Sequence, residues 1–160
     1  MQVRTLRSIV YLGAGLGVIV SIFAALETYD ASLRAVCSIN AFLSCSKVDT
    51  SGLTSTLGVP DYLWGIGGFI VIFLVAAIAE ARPRDKRWEY LLLLITTAGI
   101  GMAAYFLYVE LALIGALCVV CAASYGMGLI AWGGSIALVR RPPDAPARRP
   151  KKGRGADAEG

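Results

Sequence analysis

Four cysteines fall into two pairs, Cys37 with Cys45 and Cys118 with Cys121, in a chain of 160 residues that contains no histidine. Thiolates carry electrons by disulfide exchange, a chemistry that needs cysteine and no imidazole. Two thiol pairs therefore point to electron relay. Residues three apart on a helix lie close enough for a disulfide, so Cys118 and Cys121 are able to oxidise in place. On one straight helix Cys37 and Cys45 would stand ~12 Å apart, beyond the usual disulfide span. The chain must bend between them, around Ser38-Ile39-Asn40, or they must bond other thiols. Three bland readings compete: small apolar residues, static disulfides, and a four-cysteine zinc site. The C-x₂-C half has ligand spacing, whereas C-x₇-C is wider than the usual half-site.

The elements that position these thiols belong to a membrane protein. The sequence is 57% hydrophobic, with mean hydropathy +0.68. Ile9–Leu26, Tyr62–Ala79, Tyr90–Val109 and the longer Leu111–Val139 carry no charge, and each is about long enough to cross ~30 Å of hydrocarbon. The fold class predicted is all-α, a bundle of four transmembrane helices with a long outer loop between the first and second. Arg4 and Arg7 precede the first run, as in a signal peptide. Its uncharged core exceeds the usual apolar region of such a peptide, however, and Ala24-Ala25-Leu26-Glu27 offers no small-x-small cleavage site, so it is expected to stay as a helix.

Thirteen of the 15 Lys and Arg lie before the first run, between the second and third, or after the fourth; only Arg34 and Lys47 lie elsewhere. The positive-inside rule then puts both termini in the cytoplasm and the four cysteines outside, at an inner (cytoplasmic) membrane. There Cys37 and Cys45 occupy a polar loop on the oxidising side, where free thiols seldom persist unused. The net charge of +4 is explained by topology and anionic lipid, without nucleic acid. Residues 1–139 are expected to form the membrane domain and residues 140–160 a disordered basic cytoplasmic tail. Counting back ~20 residues from Arg140 puts Cys118-Val119-Val120-Cys121 at the outer mouth of the fourth helix. A sulfur there lies at the positive end of the helix dipole, which favours negative charge, while apolar surroundings oppose it. Gly13, Gly15, Gly17, Gly65 and Gly68 are expected to let helices approach closely, and Trp64 to be an interfacial aromatic.

C-x₇-C in the first outer loop, Ser51 six residues after its second cysteine, and C-x₂-C opening the last helix together resemble the vitamin K epoxide reductase family. The strings Cys45-Ser46-Lys47-Val48-Asp49-Thr50-Ser51, Gly58-Val59-Pro60 and Cys118-Val119-Val120-Cys121-Ala122-Ala123-Ser124-Tyr125 carry the likeness, which spans roughly Ile9–Val139. The resemblance implies a four-helix bundle around a quinone, ubiquinone or menaquinone. It implies that Cys37 exchanges electrons with a thioredoxin-like partner, that Cys45 relays them to Cys118, and that Cys121 reduces the quinone. Ser51 and Tyr125 match positions near the bound quinone; Asp61 falls where animal members carry an amide. Many bacterial relatives carry a fused thioredoxin-like domain. Only a basic tail follows the last helix here, so a standalone bacterial-type protein with a DsbA-like partner in trans is expected.

The leading expectation is an oxidoreductase that makes disulfides in exported proteins by passing electrons to membrane quinone. A quinone or quinone-epoxide reductase, whose reduced quinone is the product, uses the same residues. A structural or zinc-binding small membrane protein is the alternative of another class.

Overall fold

The computed structural model describes residues 3–53, 55–56, 58–83 and 85–141, with the side chains of Val36 and Thr56 excepted. The expected tail therefore lies almost wholly outside the described residues. Four helices are long and apolar enough to cross a membrane. They are α1 (Val3–Tyr29), α4 (Asp61–Ala81), α5 (Arg87–Tyr108) and α6 (Val119–Arg140). In hydrocarbon no water satisfies backbone N–H and C=O groups, so uncharged runs of this length close their hydrogen bonds internally as helices. Helices α1, α4 and α5 extend one to several residues past their uncharged runs, because polar end residues remain helical at the membrane surface.

One boundary differs in kind. The connection from Glu110 to Leu117 is largely helical: α5 passes directly into a π-helical segment, Val109–Ile114. Gly115 stops it with φ 67°, a left-handed conformation that glycine adopts without a Cβ penalty. Leu111–Val139 is therefore not one helix. It is cut at Gly115, and α6 begins only at Val119.

Helix α1 packs against α6 and α4, and α5 closes the bundle against both. The packed face of α1 carries Leu6, Val10, Gly13, Gly17 and Ser21 at helical spacing, with Glu27 in its last turn. A Cβ on Gly13 would meet backbone atoms of α6 at 3.0 Å, and one on Gly17 would strike the Phe69 ring. Gly65 likewise abuts Ser21. Gly15 and Gly68 do not act this way, since a Cβ at either would meet open space.

The segment between α1 and α4 folds onto one end of the bundle. It holds α2 (Ala31–Cys37), α3 (Cys45–Asp49) and a two-residue antiparallel ribbon, β1 (Ser55–Thr56) with β2 (Val59–Pro60). Arg34 anchors it by donating to the carbonyls of Glu27 and Thr28 at the end of α1, where the helix leaves carbonyls unpaired. Connectivity puts the C-terminus of α1, the N-terminus of α4, the end of α5 and the N-terminus of α6 at this same end. Among the described residues, every Lys and Arg except Arg34 and Lys47 lies at or near the other end, where Arg141 pairs with the buried Glu89 at 2.6 Å.

Candidate active site

The loop between Cys37 and Cys45 reverses where the sequence suggests. The Asn40 side-chain oxygen accepts from the Phe42 and Leu43 amides at 2.9 and 2.8 Å, and the Ile39 amide donates to the Leu43 carbonyl. This Asx turn brings the chain back on itself. Ser44 then caps α3 by accepting from the Lys47 amide. The result is a Cα–Cα distance of 5.7 Å between Cys37 and Cys45, which form a disulfide. The folded loop docks on the entrance of α6: the Leu117 amide donates to Phe42 O at 2.7 Å and the Ser44 amide to Leu117 O at 3.1 Å.

Cys118 and Cys121 are free thiols. Cys118 is the N-cap of α6, and its sulfur accepts from the Cys121 amide at 3.3 Å. Its Sγ also lies 3.3 Å from Cys45 Sγ, and both residues are 0% exposed. A sulfur so close to one member of a disulfide is poised for exchange, in which a thiolate attacks along the S–S bond and a mixed disulfide forms.

Two buried acids flank the sulfurs. Glu27 and Glu110 are each 1% exposed. Glu27 Oε1 is 3.8 Å from Cys118 Sγ. Glu110, in the π-helical segment, accepts from the Cys118 amide at 3.0 Å and from the Tyr125 hydroxyl at 2.7 Å. Asp61 opens α4, accepts from its neighbour's amide at 2.7 Å, and stands 3.8 Å from Cys121 Sγ. Outside the spanning helices, burial and the nearby Asp61 charge raise Asp49 to about 6, against the opposing pull of Arg34.

A cavity of about 130 Å³ opens inside the bundle beneath Cys121. Phe69, Ile72, Met102 and Phe106 supply apolar walls, and Asp61 and Tyr125 supply oxygen atoms at its cysteine end. A mostly apolar chamber with a few convergent polar groups suits a flat ring bearing carbonyl oxygens. Four glycines of the lining, Gly65, Gly68, Gly99 and Gly128, place no side chain in it.

Of the residues singled out from sequence, Cys37, Cys45 and Cys118 meet in one buried cluster, while Cys121, Asp61 and Tyr125 line the cavity. Trp64 lines it too and is partly exposed. Ser51 is placed apart from the cavity lining: its hydroxyl donates to Val48 O at 2.7 Å and accepts from the Leu53 amide. Carboxylate and sulfur atoms of Glu27, Cys37, Cys45 and Cys118 all lie within 4.8 Å of one another. This is not the four-cysteine set considered for zinc, since it replaces Cys121 with Glu27. Sequence reasoning misses Glu27 and Glu110 as site residues. The available signal is their position: each stands at the margin of an uncharged run, and an ionisable residue within a membrane helix marks function by default.

The sequence matches the Vitamin K epoxide reductase family over residues 8–136. The chain belongs to that family, and it is a multi-pass membrane thiol oxidoreductase.

Proposed function

We propose that the protein reoxidises a thioredoxin-fold, DsbA-like partner and passes the electrons through its two cysteine pairs to a membrane quinone, supporting disulfide formation in exported proteins. The observation that carries this reading is the 3.3 Å approach of Cys118 to the disulfide-bonded Cys45, with Cys121 on the cavity side. A partner thiolate attacks Cys37, frees Cys45 and is resolved by the partner's second thiol. Cys45 then attacks Cys118 of a Cys118–Cys121 disulfide, and Cys37 closes on Cys45. The pairs end with Cys37–Cys45 oxidised and Cys118 and Cys121 reduced, which is the pairing found here. A bound quinone supplies an acceptor for two electrons and two protons. Toward it, Cys121 presents its sulfur, the apolar walls exclude water, and Tyr125 and Asp61 orient its oxygens. Ser51 acts on this reading by holding the turn after α3 rather than by touching the ring.

In this reading the protein lies in the inner membrane with the cysteine end outside and both termini in the cytoplasm. Residues 1–139 are the catalytic unit and residues 140–160 a basic tail. Reconstitution with a reduced thioredoxin-fold protein and either ubiquinone or menaquinone tests the function. Two partner thiols should be lost for each quinone reduced; thiol loss independent of quinone would refute it. The Glu27, Cys37, Cys45 and Cys118 cluster favours a second reading, a metal site. While Cys37 and Cys45 share a disulfide they provide no thiolate ligands. Stoichiometric zinc with protected thiols in purified protein would establish that alternative.

A further inference from the structure

We propose that Glu27 is the acid–base catalyst of the exchange between the two cysteine pairs, taking the proton from the attacking thiol and returning it to the leaving one. The inference rests on the relay proposed above and adds a group to it. Thiol exchange needs a thiolate to attack, and the displaced sulfur needs a proton. The chain has no histidine to carry that proton. A carboxylate is the remaining candidate, and Glu27 is placed for it: one of its oxygens and the sulfurs of Cys37, Cys45 and Cys118 all lie within 4.8 Å of one another.

The other charged groups nearby are already committed. Both oxygens of Glu110 accept hydrogen bonds, from the Cys118 amide and the Tyr125 hydroxyl. Asp61 faces Cys121 on the cavity side. Asp49 stands beside Arg34 at 4.0 Å, and Arg34 gives its hydrogen bonds to the carbonyls of Glu27 and Thr28 rather than to the Glu27 carboxylate. Glu27 Oε2 is buried without a hydrogen-bond partner, as are Asp49 Oδ2 and Glu89 Oε2, but among these three it is the Glu27 carboxylate that shares a cluster with the sulfurs of Cys37, Cys45 and Cys118. Leaving a carboxylate oxygen unpaired in the interior costs stability that a neutral side chain of similar size would not. What sets Glu27 apart is the combination of an open oxygen with a carboxylate placed against the exchanging sulfurs, which a proton carrier requires.

The step balances within the chain. The Cys118 thiol passes its proton to Glu27, and the thiolate attacks Cys45 Sγ. The Cys45–Cys118 bond forms as the Cys37–Cys45 bond breaks, and the Cys37 thiolate takes the proton from Glu27. One disulfide is consumed and one is made, with no external oxidant. Run in reverse, the same proton path carries electrons from the loop pair to the helix pair.

The test uses the full chain in lipid nanodiscs with Cys121→Ser, so that exchange stops after one step. Protein carrying the Cys37–Cys45 disulfide is incubated with N-ethylmaleimide over a range of pH. The reagent traps Cys37 as it is released, and mass mapping without reductant follows the Cys45–Cys118 disulfide. Adding Glu27→Gln is expected to slow trapping by about 100-fold and to flatten its pH profile, within the usual range for loss of a general acid–base group. Glu27→Asp, which keeps the carboxylate one methylene farther away, should retain the pH dependence at a lower rate. Trapping by the Gln variant within about twofold of its parent would overturn the proposal, because acid–base loss costs far more. So would an Asp variant with no pH dependence, and that arm decides the matter if the Gln variant does not fold. A parent that never forms Cys45–Cys118 would instead refute the relay itself.

Discussion

The two cysteine pairs are held by different physics. Cys37 and Cys45 depend on a loop whose shape comes from side-chain contacts, the Asn40 turn and the Ser44 cap, together with their own disulfide. Cys118 and Cys121 sit on the first turn of α6, where the backbone ladder of a packed helix fixes them. Reduction removes a covalent tie from the loop pair and leaves the helix ladder of the other pair intact. The difference suits a relay in which the outer pair moves to meet a partner and the inner pair stays beside the cavity. Both buried acids meet the fixed residue Cys118, Glu27 at its sulfur and Glu110 at its amide.

The comparison breaks most sharply if the pairs do not act in series. Cys118→Ala should reduce quinone-coupled oxidation of the partner by about 10³-fold or more, the scale of losing an essential nucleophile. The Cys37–Cys45 disulfide should still form, as thiol counting would show. Turnover near the parent level would mean that the loop pair reaches the quinone by another route.

The division of labour is sharpened by trapping. Mixed with oxidised partner, Cys45→Ser should accumulate a disulfide between Cys37 and the partner, visible on non-reducing gels, because Cys45 is no longer present to close on Cys37 and expel the partner. Cys121→Ser should not, since Cys45 remains to release the partner. Equal trapping by both variants would erase the assigned difference between outer and inner pairs.

Stability separates the two supports. Glu110→Leu leaves the Cys118 amide and the Tyr125 hydroxyl without their acceptor, and should cost about 2–4 kcal/mol. Ser44→Ala removes only the cap of α3 and should cost about 1 kcal/mol. Thermal unfolding in one detergent would rank them, and the reverse order would show that the loop is the more tightly held region.

The smallest effect concerns Asp49, in the loop region. Its folded pKa of about 6 lies above the ordinary 3.8, so the folded state holds the proton more tightly than the unfolded chain. Stability from this group is greatest at low pH and falls as pH rises from about 4 to about 6. With solvent screening at a partly exposed site, the change should be about 1 kcal/mol. Asp49→Asn should remove that slope from thermal midpoints measured across the interval. An unchanged slope would assign it to other acids.

Much of the fold is legible in the order of residues. Ile9–Leu26 or Tyr62–Ala79 announces a span because lipid imposes one requirement on every backbone group it covers, and a long uncharged run satisfies it locally. The bend near Asn40 is legible for a similar reason: the eight-residue spacing of Cys37 and Cys45 and an Asx-type side chain act within one short segment. The start of the last helix near Cys118 follows from counting back from Arg140, but the π-helical segment and the left-handed Gly115 before it are hidden, because the uncharged run Leu111–Val139 reads the same with or without them. The glycines divide likewise. Gly13 and Gly17 face neighbours at contact distance while Gly15 does not, and the sequence contains nothing that separates them.

The sequence by itself determined the spans, the segregation of basic residues, and the identity and spacing of the four thiols, since these depend on composition and short-range geometry. Tertiary structure decided the rest. The contact of Cys118 with Cys45 joins residues 73 apart in the chain, and that with Glu27 joins residues 91 apart. Such distances follow from how helices cross and where the loop docks, which a period or a spacing does not encode. For the same reason Glu27 and Glu110 read as polar ends of apolar runs until the bundle closed over them, and Ser51, close in sequence to Cys45, came to support a turn instead of lining the cavity.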